Sequence, residues 1–562
     1  MKASKGSTGA IRAVKLPGSP RQALGAILLA SASVSGPLTV SAGPIRFADA
    51  TAALGIDFTH RNGISAEKYL PETYGSGIAW FDSDGDGDFD LYLVNSGHLV
   101  GGRGNSWNRF YRNDGDRFRD ATREAGLSGS AYGMGVAAAD YDNDGDQDLY
   151  LANWGPDQLL RNDGSTYTDV TPGSGVGHPG WSSSAVFADG DNDGLLDLYV
   201  TSYVTFDLAA HPWCGRRDMG LRFYCDPSQF APTRDLYFAN CGRGSFADRS
   251  AEAGVDDPGN GLGAVSGDFD GDGDSDIYVA NDMTPNFLYN NRDPGRFDEV
   301  GLVTGTALSA DGKAQAGMGV DAGDFDNDGD LDLFVTNYQL EHNALYRNDG
   351  SYYAEVSFTT GLGKVSLNYL GFGTGFLDYD NDGWLDLFVA NGHVHDNIEQ
   401  YDALVTYRQT PQLLRNLGGR FEDVSASLGP AFATAYAGRG AAFADYDADG
   451  DTDIALLDAG RGAVILRNDG GNAGHWLDVE LEGRRNRDAI GAKLWVGEAG
   501  QRRFREIHGG VGYQSSSPYR AHFGLGSLID PGPLRIRWPS GVEQVITGPP
   551  IDGTVRLVEP AP

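Results

Sequence analysis

Asp140-Tyr141-Asp142-Asn143-Asp144-Gly145-Asp146-Gln147-Asp148 places carboxylates at positions one, three, five and nine of a tight loop, with glycine at position six. The same D-x-D-x-D-G-x-x-D form recurs six more times. Its carboxylates are Asp82, Asp84, Asp86 and Asp90, then Asp189, Asp191, Asp193 and Asp197, then Asp268, Asp270, Asp272 and Asp276. The last three copies supply Asp324, Asp326, Asp328 and Asp332, Asp378, Asp380, Asp382 and Asp386, and Asp445, Asp447, Asp449 and Asp453. A hard divalent cation takes six to eight oxygen ligands, and a short curled backbone carrying this many carboxylates suits calcium. Position seven is Asp88, Asp146, Leu195, Asp274, Asp330, Trp384 or Asp451. An apolar side chain is tolerated there because the backbone carbonyl still serves as ligand. About seven calcium ions are therefore expected.

An EF-hand needs a glutamate at loop position twelve and flanking helices. Position twelve of the second copy is Leu151, and its flanks, Gly133-Met134-Gly135-Val136-Ala137 and Leu149-Tyr150-Leu151-Ala152-Asn153, read as strands. Each loop thus joins the two strands of a hairpin. A G-x-G precedes it, as Gly75 and Gly77, Gly261 and Gly263, or Gly438 and Gly440, and only the third copy departs, with Ser182 and Ser184. After it come an apolar strand, a phrase such as Phe110-Tyr111-Arg112-Asn113-Asp114-Gly115, and a closing strand such as Phe118-Arg119-Asp120 or Phe421-Glu422-Asp423. About four strands per unit is the content of one propeller blade.

Successive loops start 58, 49, 79, 56, 54 and 67 residues apart. The seventh loop is followed by Leu466-Arg467-Asn468-Asp469-Gly470 but by no closing strand, whereas a spare one, Phe47-Ala48-Asp49-Ala50-Thr51, precedes the first loop. The N-terminal strand is predicted to complete the seventh blade and remove an exposed sheet edge. The expected fold is all-β: a seven-bladed β-propeller over residues 43–471 with an insertion at about 203–234, then a small β-rich domain over 472–562.

The repeats resemble the FG-GAP/VCBS repeats of the integrin alpha-subunit propeller, whose calcium loops have this form. The C-terminal part contains Ala489-Ile490-Gly491-Ala492-Lys493, Arg505-Glu506-Ile507-His508-Gly509-Gly510-Val511-Gly512-Tyr513, His522-Phe523-Gly524-Leu525-Gly526 and Trp538-Pro539-Ser540-Gly541. These phrases resemble the ASPIC/UnbV domain of the cartilage acidic protein family. The resemblance implies a secreted, calcium-dependent propeller with adhesion-like or recognition roles and no settled biochemical activity. Read without it, the C-terminal part still shows alternating strands, Trp476-Leu477-Asp478-Val479-Glu480-Leu481 and Leu534-Arg535-Ile536-Arg537-Trp538. It is locally basic, with Arg484, Arg485, Arg487, Arg502, Arg503 and Arg505, and a solvated strand face is the expectation for them, ahead of docking on the propeller or binding an anion.

The net charge is −35, most of it in the loop carboxylates, and its sign disfavours nucleic acid as a partner. Residues 1–42 have a secretory-signal layout. Lys2, Lys5, Arg12, Lys15 and Arg21 precede the apolar run Ala23 to Ala32, and Val40-Ser41-Ala42 offers a cleavage site. That run is too short to span a bilayer, and no later segment qualifies. Export to the periplasm or the cell exterior suits calcium loops, because extracellular sites work at about 0.1–1 mM calcium. In an exported protein Cys214 and Cys225 are expected to form a disulfide, leaving Cys241 buried or unpaired; a Cys/His metal site with His211 is the sharper alternative.

No nucleophile elbow, phosphate loop or zincin motif is present, so no catalytic residue is assigned. In Asn391-Gly392-His393-Val394-His395-Asp396, His393 and His395 project to one side of an extended segment and could ligate a transition metal, with His342 and Tyr401 as partners. A hydrogen bond to a nearby backbone carbonyl is the expectation ahead of it, since other blades also carry Asn at the position of Asn391. His508 and His522 are expected to make structural hydrogen bonds. Two functions follow: a calcium-rigidified scaffold for a protein or glycan partner, or an exported enzyme or redox protein with a metal or cofactor at the propeller channel.

Overall fold

The computed structural model describes residues 44–101, 106–115, 117–129, 131–498 and 502–561. The signal-like segment at 1–42 lies outside them. Among the described residues, seven four-stranded antiparallel sheets each contain one acidic loop. The second is representative: Tyr132–Ala139, Asp148–Trp154, Gln158–Asn162 and Tyr167–Asp169 lie in chain order, with the loop between the first two. Six sheets follow this order. The seventh takes Gly438–Ala444, Asp453–Asp458 and Gly462–Asp469 from the end of the repeats and Arg46–Asp49 from their beginning. Phe47 sits opposite Asn468 and Ala48 opposite Arg467, so the spare N-terminal strand lies where its sequence predicts.

First strands of successive sheets pack side by side, and the first strand of the seventh packs on that of the first. The G-x-G phrase makes this approach possible. A Cβ on Gly135 would strike the carbonyl of Ser183 in the third sheet, and one on Gly440 would strike the carbonyl of Ser76 in the first. The third copy solves the same crowding with a hydrogen bond: Ser184 Oγ donates to the Leu262 carbonyl at 2.6 Å. Apolar residues fill the spaces between neighbouring sheets, as where Phe81, Tyr92 and Phe110 meet Val136 and Leu149.

The insertion carries a short hairpin, Cys214–Arg216 with Leu221–Phe223, and a disulfide joins Cys214 to Cys225. Cys241 is a free, exposed thiol, so the buried alternative does not hold; it occupies a turn position on the sheet surface.

The C-terminal part builds two sheets. His475–Glu482 lies between Arg520–Gly526 and Gly553–Val558, while Lys493–Val496 lies between Arg503–Glu506 and Leu534–Arg537, with Glu543–Ile546 at the edge. Its apolar core is continuous with that between the second and third sheets, where Leu477, Val479 and Ile490 join Tyr141, Tyr150 and Leu196.

Candidate metal loops and the domain that covers them

Each loop is wound by its own backbone. In the second, third, fifth, sixth and seventh loops the position-one carboxylate accepts the N–H groups of positions five and six: Asp140 from Asp144 at 3.0 Å and Gly145 at 2.9 Å, Asp378 from Asp382 at 3.0 Å and Gly383 at 2.8 Å. In the first, Asp82 accepts from positions four and six, Gly85 at 2.8 Å and Gly87 at 3.0 Å, and in the fourth Asp268 pairs with Lys493 instead. Position six is left-handed, with φ of 108° at Gly145. Position four is left-handed too, and it is Gly85, Asn143, Asn192, Gly271, Asn327, Asn381 or Ala448. Glycine and asparagine tolerate that region, so this position is a second sequence signature that the carboxylate pattern overshadows.

The winding gathers carboxylates. One oxygen from each member of Asp82/Asp84/Asp86, Asp140/Asp142/Asp148, Asp189/Asp191/Asp193, Asp268/Asp270/Asp276 and Asp324/Asp326/Asp332 lies within 4.8 Å of the others in its group. One buried carboxylate oxygen each of Asp142, Asp268, Asp326, Asp380 and Asp451 has no hydrogen-bond partner among the described residues. Desolvation, reinforced by neighbouring carboxylates, pushes Asp140, Asp189 and Asp445 up to about 7. Carboxylates held this close and this dry either take up protons or bind a cation, and one unpartnered oxygen among converging carboxylates in each of five loops fits a hard divalent ion. Where position seven is apolar, the Leu195 and Trp384 N–H groups donate to Asp193 and Asp382 at 2.8 and 3.0 Å.

Position nine has a further task. Asp148 accepts the N–H of loop residue Tyr141 at 3.2 Å and of Asn162, in the third strand, at 2.7 Å. Asn162 then donates its side-chain amide to the carbonyl of Ser83, in the loop of the preceding sheet, at 2.8 Å. The same asparagine link occurs at every sheet: Asn113 to Tyr446, Asn240 to Tyr141, Asn291 to Gly190, Asn348 to Phe269, Asn416 to Phe325 and Asn468 to Tyr379, at 2.7–3.0 Å. Sequence reasoning sees the phrase that contains this asparagine but not its role. The invariant spacing of asparagine before Asp-Gly or its equivalent is the signal that could have found it.

The C-terminal domain covers the loops, which corrects the expectation of a solvated basic face. Lys493 pairs with Asp268, and Glu506 accepts the Asp268 N–H at 3.0 Å. Arg487 lies 3.6 Å from Asp140 and its N–H donates to Asn143 at 3.1 Å; Arg485 donates to the Asp193 carbonyl at 3.3 Å. Arg503 packs at Gly383 and Arg537 at Gly273. Arg505 is half-buried; desolvation lowers its pKa to about 10 against the pull of Asp378 and Asp324. A solvated position would waste the match between these cations and the acidic loops. His522 lies between Asp478, 2.7 Å from Nδ1, and Asn381, 2.6 Å from Nε2; burial opposes its charge, but Asp478 holds its pKa above the ordinary value.

From this domain, residues 509–517 enter the space among the first strands. Gly512 exchanges backbone hydrogen bonds with Val320 at 2.8 and 3.0 Å, and Ser516 N–H donates to Ile78 at 2.8 Å while its carbonyl accepts from Trp80 at 3.1 Å. The Gln514 carbonyl accepts from Val136 at 3.1 Å, the Gly509 carbonyl from Ser266 at 2.9 Å, and Ser517 Oγ from Phe443 at 3.0 Å. Tyr513 is fully buried, its ring 5.1 Å from that of Phe372. The segment touches all seven sheets, because Gln514 N–H also donates to Ser184 in the third.

The histidine cluster lies at the strand ends away from the loops. His393 is buried with both ring nitrogens engaged: Nδ1 accepts the His395 N–H at 3.0 Å, and Nε2 is 3.2 Å from Tyr338 Oη. Burial, with His395 and Arg439 nearby, lowers its pKa to about 3. Tyr401 lies tilted against Phe223 with ring centroids 4.1 Å apart. His393, His395 and Tyr401 are neighbours, with successive ring centroids 5.3 and 6.3 Å apart, but His342 faces Glu355 at 3.4 Å, so the structure does not gather the four around one point. His211 lies 3.1 Å from the Glu67 carbonyl, and His508 lies 3.8 Å from Asp321. No helix among the described residues is long and apolar enough to cross a membrane.

Two family profiles match. The FG-GAP-like repeat matches residues 82–151, 140–200, 268–335, 324–389 and 396–456, and ASPIC and UnbV matches 482–562. Human cartilage acidic protein 1 is 30% identical over 308 residues, 53% of this chain and 43% of that protein; the mouse protein is 28% identical over 339 residues, 56% and 48%. The chain therefore spans about half the length of these relatives. Among solved structures, an Agrocybe aegerita lectin that recognises non-reducing terminal N-acetylglucosamine superposes with a TM-score of 0.37 at 16% identity, covering 62% of this chain and 79% of the lectin. A Bacillus licheniformis rhamnogalacturonan lyase superposes with a TM-score of 0.35 at 12% identity, covering 70% and 71%. Likeness this distant carries no functional argument. On its repeats and its C-terminal domain, the chain belongs to the FG-GAP-repeat, ASPIC/UnbV family that includes the cartilage acidic proteins.

Proposed function

We propose that the chain is an exported, calcium-rigidified seven-bladed β-propeller that serves as a recognition scaffold for a protein or glycan partner, with its ASPIC/UnbV domain clasping the calcium-loop face. The observation that carries this reading is the convergence of carboxylate oxygens, one of them left unpartnered in each of five loops, on a backbone already wound for a cation. Calcium, about seven ions, would sit among positions one, three, five and nine with the carbonyl of position seven, and its work is structural. The cyclic order of first-strand contacts and the asparagine links support seven blades in a ring. The residue 509–517 segment fills the axis where a channel-based active site would need space, which favours binding over catalysis. Export rests on the family and on the layout of residues 1–42.

The test is a metal inventory of chelator-free protein together with its melting temperature before and after calcium removal. The expected result is several calcium ions per chain, a strong fall in Tm on chelation, and a local rather than global defect in Asp144→Ala. An unchanged Tm after verified calcium removal ends the calcium-scaffold reading.

A further inference from the structure

On the side away from the loops, a cleft of about 510 Å³ opens between the second and third sheets and the insertion. The second-sheet strand leaves its loop at Asp148 and reaches the cleft at Trp154, so at about 3.3 Å per residue the two lie roughly 20 Å apart. With the loop face covered by the C-terminal domain, this is an open concavity at the other end.

Three aromatic side chains shape it. Trp181 and Phe206 meet edge to face at 5.8 Å and 79°, and Trp154 meets Phe206 at 6.2 Å and 73°. Beside them, Trp181 Nε1, Ser202 Oγ and Thr233 Oγ1 are buried with no hydrogen-bond partner among the described residues, and Trp181 is only 4% and Ser202 only 2% exposed. Buried polar atoms are nearly always paired in folded proteins, and each one left alone costs the fold. The three belong to residues that line one cleft, and a ligand whose hydroxyls reach into its wall would supply the partners.

We propose that this cleft binds an uncharged pyranose unit of a glycan. The proposal rests on the recognition-scaffold reading and gives it a site and a ligand class. A pyranose ring offers C–H faces to aromatic walls and a rim of hydroxyls that both donate and accept. That rim satisfies an indole N–H, which only donates, together with two hydroxyls, which do either. A lipid chain would leave all three unpaired. The cleft volume lies within the usual range of about 300–1,000 Å³ for small-ligand sites. Charge narrows the ligand further. Among the described residues no aspartate or glutamate lines the cleft, Arg234 at its edge is already paired with Asp248 at 3.0 Å, and burial lowers the pKa of His178 in its wall and disfavours its charged form, so neither a cationic nor an acidic sugar finds a free counter-charge.

The experiment applies the calcium-loaded full chain to a printed panel of neutral, amino and uronic-acid glycans and titrates the best binder by calorimetry. Ser202→Ala and Thr233→Val are then compared with the parent protein. The expected result is a neutral glycan whose affinity falls at least about tenfold in each variant, while Tm stays level or rises because an unpaired buried hydroxyl has been removed. Preference for uronic acids overturns the uncharged assignment. Binding unaffected by both variants, a Tm that falls in both, or no glycan bound by folded protein overturns the site. Capture of displayed peptides at the cleft in place of glycans leaves the scaffold reading standing and removes the sugar. Loss of the calcium reading in the chelation test leaves the titration result intact.

Discussion

The side-chain amide of Asn113 donates to the backbone carbonyl of Tyr446 at 3.0 Å, across 333 positions of sequence. It joins the first sheet to the loop of the seventh, as Asn162 joins the second to the loop of the first. Each such asparagine is also tied through its N–H to the position-nine aspartate of its own loop, Asp90 for Asn113 at 2.8 Å. A loop that holds its shape therefore holds the next sheet in register.

Asn113→Ala strands the Tyr446 carbonyl without its donor while leaving the Asp90 backbone contact in place. Loss of a buried hydrogen bond of this kind costs about 1–3 kcal/mol. Urea denaturation should show that loss in Asn113→Ala and a comparable one in Asn162→Ala, which breaks the equivalent link between sheets adjacent in sequence. A midpoint that does not move in either variant would falsify the relay.

Tyr513 separates packing from hydrogen bonding. Its ring is enclosed against Phe372, yet its hydroxyl is buried without a partner. Tyr513→Ala should lose about 3–5 kcal/mol, the usual cost of deleting a buried aromatic ring. Tyr513→Phe removes only the unpaired hydroxyl and should be neutral or slightly stabilising. Thermal melts of the two variants side by side check both signs.

Lys493 places an ammonium on Asp268, the position-one carboxylate of the fourth loop, and lies 3.8 Å from Glu506. On the proposed calcium reading, Lys493→Met removes a cation that would compete for Asp268. Calcium titration by calorimetry should show tighter binding at one site, while melting in EDTA should show a less stable protein, because Asp268 and Glu506 are left without their partner. Equal calcium affinity in variant and parent counts against competition.

Asp282 provides a pH test away from the loops. It is fully buried and accepts the Tyr203 hydroxyl hydrogen bond at 2.6 Å, and desolvation is the main cause that pushes its pKa from 3.8 up to about 7. Between those values the folded protein keeps a proton that the unfolded chain has released. Its contribution is therefore fully present below about pH 4 and is lost as pH rises towards 7. Asp282→Asn keeps an acceptor for Tyr203 and cannot ionise, so its stability should fall less than that of the parent between pH 4 and pH 7 in matched denaturation series.

The repeated loop, the hairpins on either side of it and the pairing of Phe47 with the end of the repeats were legible in the sequence. Local spacing dictates each of them: carboxylates at fixed positions wind a loop, alternating apolar residues make a strand, and a missing closing strand is a count along the chain. The Cys214–Cys225 pairing was legible for the same reason, since the two lie on either side of one short hairpin. Only tertiary structure decided what the basic C-terminal residues face. Arg485 and Arg487 read as part of a solvated patch because charge in a sequence has no direction, and their partners lie 292 and 344 residues away. The same holds for Gly509 to Ser517 at the centre of the seven sheets, and for Trp181, Ser202 and Thr233 around one cleft. Such groups meet through the relative placement of sheets, and no periodicity within any one segment encodes it.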